Sequence, residues 1–311
     1  MELLFLGTGS GMPSKQRNTS SVLLNLVEEI DEIWMFDCGE ATQHQLLHVP
    51  IRPRKITKIF ITHLHGDHIF GLPGFLSSRS FLDGRTTVTV YGPKGIKDFI
   101  KMSLEISNTH LAYELKIVEL DNEFVFETDK FSVISTKLDH GVASYGFKII
   151  EKDSPGELLV DKLRELNIPP GPLYQRIKEE NVVEMENGRV LKQRDFLGPD
   201  KKGRSVAILG DTRYKPDLVS FLDCVDVCVH EATFSEDEKT LAHNYFHSTT
   251  RQAATLAKAS QVNQLILTHI SARYQKSDYA RILEEAKSIF PATSLAMDYF
   301  SYKIHRMKPI N

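Results

Sequence analysis

No stretch of this 311-residue chain strings together the roughly eighteen apolar residues that a membrane-crossing helix needs, so no membrane partner is expected. The opening MELLFLGTGSG also falls short of a secretory leader, because no basic residue precedes its apolar run and the run stops at Gly7. It reads as a first strand. Positive charge is not in surplus: 38 Lys and Arg stand against 41 Asp and Glu, a formal net charge of -3. General electrostatic coating by nucleic acid is thereby excluded, and any RNA contact must come from a local patch. Cysteine is scarce, and Cys38, Cys224 and Cys228 are an odd number whose flanks read as strand edges in a core. We read them as reduced thiols of a cytoplasmic protein, with a metal-binding Cys224/Cys228 pair as the alternative.

What the chain does have is 41% hydrophobic residues and enough length for a full core, which favours one domain over residues 1–311 with an insertion. Short runs rich in β-branched and aromatic residues, at 3–6, 33–36, 59–62, 87–91, 131–136 and 145–150, are predicted strands. Helical spacing fills 95–105 and 248–259, the latter capped by Ser248 or Thr249. Alternation of the two makes the class α/β. From 152 to 203 the core pattern lapses, with a turn-rich IPPGPLY and basic residues interleaved with acidic ones. It resumes at the strand-like VAIL from Val206. Residues 152–203 are therefore an inserted arm, read from composition as either a solvated excursion or a functional lobe.

The most informative residues stand in ITHLHGDHIFGLPG, where a β-like run ends in His63, His65, Asp67 and His68. Imidazole nitrogens and carboxylate oxygens are what zinc and related ions accept. The spacing places His63 and His65 on one side of a strand end, and the Gly66 turn swings Asp67 and His68 toward a neighbouring position. His140, Asp211 and His269 likewise sit where strands meet loops, in LDHG, LGDT and LTHIS. As a carboxylate, Asp211 can bridge two ions.

These motifs resemble the metallo-β-lactamase superfamily across nearly the whole chain. The resemblance implies an αβ/βα four-layer sandwich of two similar halves, one beginning near Glu2 and the other near Arg204, which meet along the edge that holds the metals. It also implies two Zn2+ per subunit, with His63, His65 and His140 on one, Asp67, His68 and His269 on the other, and Asp211 between them. Asp67 is the carboxylate placed to orient or deprotonate the nucleophilic water.

Three further motifs resemble the ribonuclease Z family in its short form: HEAT at 230–233, HST at 247–249, and PxKxRN carried by Pro13, Lys15, Arg17 and Asn18. The resemblance implies a tRNA 3′-processing endoribonuclease that cuts 3′ of the discriminator base. Glu231 and His247 would assist the leaving oxygen, and the loop of Pro13, Lys15, Arg17 and Asn18, with Ser248 and Thr249, would contact RNA. Glu231 can equally brace a metal-bound histidine, and Ser248 can serve only as a helix cap. The same resemblance makes the arm a flexible tRNA-binding exosite that packs poorly, and the protein a homodimer whose partner is precursor tRNA. The rivals are a small-diester phosphodiesterase or 3′ exonuclease of the same fold and, further off, a silent RNA-binding subunit. The last would be expected to have lost ligands.

Overall fold

The computed structural model describes residues 1–121, 125–185 and 187–306; residue 186 of the arm lies outside them. In chain order the strands are β1 (Glu2–Gly7), β2 (Gly9–Ser10), β3 (Ser21–Leu26), β4 (Glu32–Phe36), β5 (Ile56–Phe60), β6 (Val88–Pro93) and β7 (Leu115–Leu120). There follow β8 (Val125–Glu127), β9 (Phe131–Lys137), β10 (Tyr145–Glu151), β11 (Val182–Glu184), β12 (Val190–Lys192), β13 (Ser205–Leu209) and β14 (Val227–Glu231). The last four are β15 (Gln264–Thr268), β16 (Ile270–Ser271), β17 (Thr293–Leu295) and β18 (Ser301–Lys303).

Two seven-stranded sheets result, ordered β18-β1-β3-β4-β5-β6-β7 and β17-β15-β14-β13-β10-β9-β8. Each contains a parallel run, β4 to β7 in the first and β13, β14, β15, β17 in the second. Because β8 to β10 belong to the second sheet, the halves divide between Leu120 and Val125, and the expected division near Arg204 is corrected. The insertion interrupts the second half rather than separating the two.

Alternation along the strands builds the layers. On β1 Leu3 and Phe5 face the other sheet while Leu6 faces outward; on β13 Val206 and Ile208 face inward while Ala207 and Leu209 face outward. Both faces are covered, which is why these strands read as unbroken apolar runs. Trp34 of the first sheet meets Phe131 of the second at 5.6 Å between ring centroids, and truncating so large a buried ring costs about 3–5 kcal/mol. Helices Leu72–Phe81 and Ile96–Ile106 cover one sheet, and Thr250–Ala259 and Tyr279–Lys287 the other. The four expected layers are present.

The chain divides into two compact units, and the second comprises Glu151–Arg204 with Arg306. It contains helices Val160–Glu165 and Pro172–Glu179, the hairpin β11–β12, and a short helix Gln193–Phe196. Leu163, Ile168, Ile177, Val183, Leu191 and Phe196 form a core of its own. The expectation of a segment without core pattern is corrected here, because these apolar residues are spread over elements too short to show a period. Proline supplies a start: Pro172, inside the turn-rich run, opens a helix at the position where its missing N–H costs nothing. Cys38 and Cys228 are buried, whereas Cys224 is exposed at φ 53°, so its reading as a core strand edge is also corrected.

Candidate metal centre and active site

Strand ends supply the site. His63 follows β5, His140 follows β9, Asp211 follows β13, Glu231 ends β14 and His269 follows β15; His65 opens the short helix Gly66–Ile69 that carries Asp67 and His68. His65 Nδ1 lies 3.1 Å from both His63 Nε2 and His140 Nε2. Opposite, His269 Nε2 lies 3.2 Å from His68 Nε2 and 3.3 Å from an Asp67 carboxylate oxygen. Asp211 Oδ2 stands between the two sets, 3.6 Å from His63 Nε2, 3.6 Å from His68 Nε2 and 3.4 Å from His269 Nε2. All seven predicted ligands come together.

The donor set fits metal. Ligand atoms about 2.0–2.1 Å from one tetrahedral ion stand about 3.3–3.4 Å from each other, close to the spacings here. The far nitrogens are occupied: His63 Nδ1 is 3.0 Å from the Thr62 hydroxyl, His68 Nδ1 2.7 Å from Asp37, His140 Nδ1 2.9 Å from the Phe246 carbonyl and His269 Nδ1 2.9 Å from the Thr233 hydroxyl. With protons held on that side, the Nε2 lone pairs converge, an arrangement that a cation stabilises.

Electrostatics agree. Burial and then His68 push the His63 imidazole down, and burial and His140 do the same to His65, which favours the neutral, ligating form. Burial works against charge on Asp211, yet His269, His68 and His63 hold its carboxyl well below the usual range. At His68 burial is likewise outweighed, and Asp211 and Asp37 push the imidazole well above its usual range.

Beside this cluster, Glu231 accepts from His247 Nδ1 at 3.0 Å and from the backbone of Thr212, Thr233 and Ser248. Its other oxygen takes the Thr233 hydroxyl, which in turn holds His269. Glu231 thus serves both alternatives open in the sequence: it orients His247 directly and a metal-site histidine through Thr233. Burial opposes charge on His247, but Glu231 raises the imidazole to about 9. His230, its neighbour, is buried, with its ring against the Glu231 carbonyl.

The RNA-contact expectations need correction. Arg17 is 2% exposed; its guanidinium donates to Thr8, Ala296 O and Tyr279 and stacks on the Tyr279 ring, so it braces the loop from beneath. Asn18 is spent similarly, its side chain on Glu40 O and its amide on Asp298. Ser248 is buried and donates to Thr212 O, while Thr249 is the helix N-cap in a capping box with Gln252. Pro13 and Lys15 remain exposed at the loop tip, and the Gly11 amide of that loop donates to Asp67 at 2.7 Å. The pairing of β2 with β16 ties the same loop to the His269 turn. Sequence reasoning missed Asp37, Thr233 and Asp298. Asp37 at φ 58° just past β4 was the detectable one, a carboxylate at a strand end like Asp211.

Comparison with known proteins follows the same lines. The chain is 56% identical over 306 residues to a ribonuclease Z of Oceanobacillus iheyensis, covering 98% of this chain and 100% of the relative. It is 58% identical to a ribonuclease Z of Anoxybacillus flavithermus, with 98% of each covered. The crystal structure of human tRNase Z, short form, superposes with a TM-score of 0.70 at 29% identity, over 98% of this chain and 100% of that one. The metallo-β-lactamase fold protein YhfI of Bacillus subtilis, at 20% identity and TM-score 0.67 over 97% and 98%, shares the fold. A family profile described as Anti-Pycsar protein Apyc1 matches residues 1–155.

Proposed function

The chain belongs to the ribonuclease Z family, and on that premise we propose that it removes the 3′ trailer of precursor tRNA. It is an endoribonuclease that cuts 3′ of the discriminator base, leaving a 3′-hydroxyl on the tRNA and a 5′-phosphate on the trailer. The observation that carries this is the Asp211 carboxylate, which stands among the histidines at 3.4–3.6 Å and also 3.8 Å from His247 Nδ1, so the ligand set and a proton donor share one wall.

His63, His65 and His140 would hold one zinc ion, Asp67, His68 and His269 a second, and Asp211 would touch both. Such ions supply a hydroxide at neutral pH and neutralise phosphate charge. The residues do the rest. Asp67, fixed by the Gly11 amide, would orient or deprotonate the attacking water. As the bond from phosphorus to the 3′ oxygen breaks, His247 delivers a proton to that oxygen from Nε2, because Glu231 occupies Nδ1.

The arm, residues 152–203, is the tRNA exosite in this reading. It is supported by Lys178, Arg189 and Lys192, which are exposed and form no ion pair among the described residues. Lys15 and Pro13 would meet RNA beside the cut. A homodimer belongs to the same reading, supported by large apolar side chains left at the surface, among them Leu47, Phe81 and Ile106. So does a cytoplasmic location, supported by the free thiols. Among the described residues no helix is long and apolar enough to cross a membrane. Mapping the cut in one labelled precursor tRNA, with and without a chelator, tests the proposal. Cleavage anywhere but 3′ of the discriminator, or trimming nucleotide by nucleotide, rejects it.

A further inference from the structure

We infer that Arg213 is a positioning residue that locks together the three loops carrying Asp211, His140 and His247. The inference rests on the metal-centre reading above and adds a residue to it. Arg213 lies two positions beyond Asp211. Its amide donates to Asp139 O at 2.8 Å, beside His140, and its guanidinium stands 3.9 Å from the Asp139 carboxylate. Its Nε donates to His243 O at 2.7 Å, on the segment leading to His247. The guanidinium sits over the ring of Phe246, its central carbon 3.6 Å from the ring centroid.

Phe246 is what makes this arrangement consequential. It is held at φ 61°, a left-handed conformation that a bulky residue seldom adopts without external constraint. In that conformation its carbonyl accepts from His140 Nδ1 at 2.9 Å, which aims His140 Nε2 at His65, and the next residue is His247. The circuit from Asp211 through Arg213 and Phe246 to His140 is therefore closed by the guanidinium, through its bond to His243 O and its place over the Phe246 ring. Thr212 reinforces it: its hydroxyl accepts from the Asp139 amide and its carbonyl accepts from Ser248. The Arg213 side chain is only 24% exposed, so most of its surface is committed to these contacts. Lysine would keep the charge but has neither the planar face nor the fork that lets one group stack on Phe246 and bond His243 together.

The test compares wild type with Arg213→Lys, Phe246→Leu, Phe246→Tyr and the double variant Arg213→Lys/Phe246→Leu, each checked for folding by circular dichroism. Zinc retention is titrated against a chelator, and kcat and KM are measured on precursor tRNA across a salt series. Arg213→Lys and Phe246→Leu should each release zinc more readily and lower kcat by about 10- to 100-fold, the range for partners that orient metal ligands. KM should stay within about twofold, because the defect lies in chemistry and not in RNA binding. The double variant should be no worse than the poorer single one, since both remove one stack. Phe246→Tyr keeps the ring and should keep wild-type turnover. Three results would overturn the inference: wild-type zinc retention in Arg213→Lys, a defect confined to KM with a flatter salt dependence, which would make Arg213 a phosphate ligand, or loss of turnover in Phe246→Tyr. Zinc retention needs no substrate, so it reads the inference even if wild type failed to cut tRNA, a failure that would count against the proposed function alone.

Discussion

At the candidate metal centre Asp211 is buried with three imidazole nitrogens within 3.6 Å, whereas in the inserted lobe Arg176 is exposed and pairs with Glu180, four positions away. Arg164 pairs just as locally with Asp161. Exposed pairs of this kind are screened by solvent and can be exchanged for another partner at little cost, whereas a buried network cannot lose a member without stranding the rest. One region holds its charges in a buried network and the other leaves them at the surface. Catalysis needs the first property, because preorganised groups do not have to reorganise as charge develops. Gripping a phosphate backbone needs the second, because binding there is driven by released counterions.

The harshest way to break the contrast is Asp211→Ala. It should empty the site of metal by elemental analysis and abolish cleavage of both tRNA and a small diester, and full activity with unchanged metal would end the argument. Removing the arm should separate the two regions instead. Glu151 N donates to Arg204 O at 2.8 Å, so a short glycine link can close the gap. tRNA binding should weaken, and the logarithmic slope of its salt dependence should flatten by about 0.9 for each duplex phosphate that the shortened protein no longer neutralises. Hydrolysis of the small diester should continue near its normal rate, and an unchanged tRNA affinity would return the arm to a solvated excursion.

His247→Ala sharpens the comparison within the body. Metal should stay, while tRNA cleavage slows by roughly 10²-fold or more, and the defect should shrink on a nitrophenyl diester whose leaving group needs no proton. An equal loss on both substrates would make His247 a phosphate-positioning group. The mildest change, Asp37→Asn, should weaken metal retention and turnover by about 10- to 100-fold through its hold on His68, and retention equal to wild type would remove Asp37 from the site.

Much of the chemistry was legible before the fold, and for a physical reason. Candidate metal ligands are clustered, polar and out of place at strand ends, so His63, His65, Asp67 and His68 stand out within six positions. Burial is not written that way. Arg17, Ser248 and Thr249 have the composition of RNA contacts, but Arg17 is fixed by Thr8 and Ala296, the latter nearly the whole chain away, and Thr249 by its cap. Asp37 was passed over because its partner His68 lies 31 positions distant and nothing local links them. The lobe's core was hidden because strands of three residues and helices of a turn or two are too short for a hydrophobic period to accumulate. The halves were misplaced because the insertion, which falls inside the second sheet, looks like a boundary.

The ligand set also imposes an order on the enzyme's birth. His63 and His269 belong to opposite sheets and must meet at one edge, yet roughly 200 residues separate them, which a ribosome adds in roughly 10–40 s at about 5–20 residues per second. Until that interval ends the HxHxDH segment lacks His269, and the loop before Asn18 still awaits Asp298. On the proposed ligand set, cleavage would therefore have to wait until synthesis has passed His269.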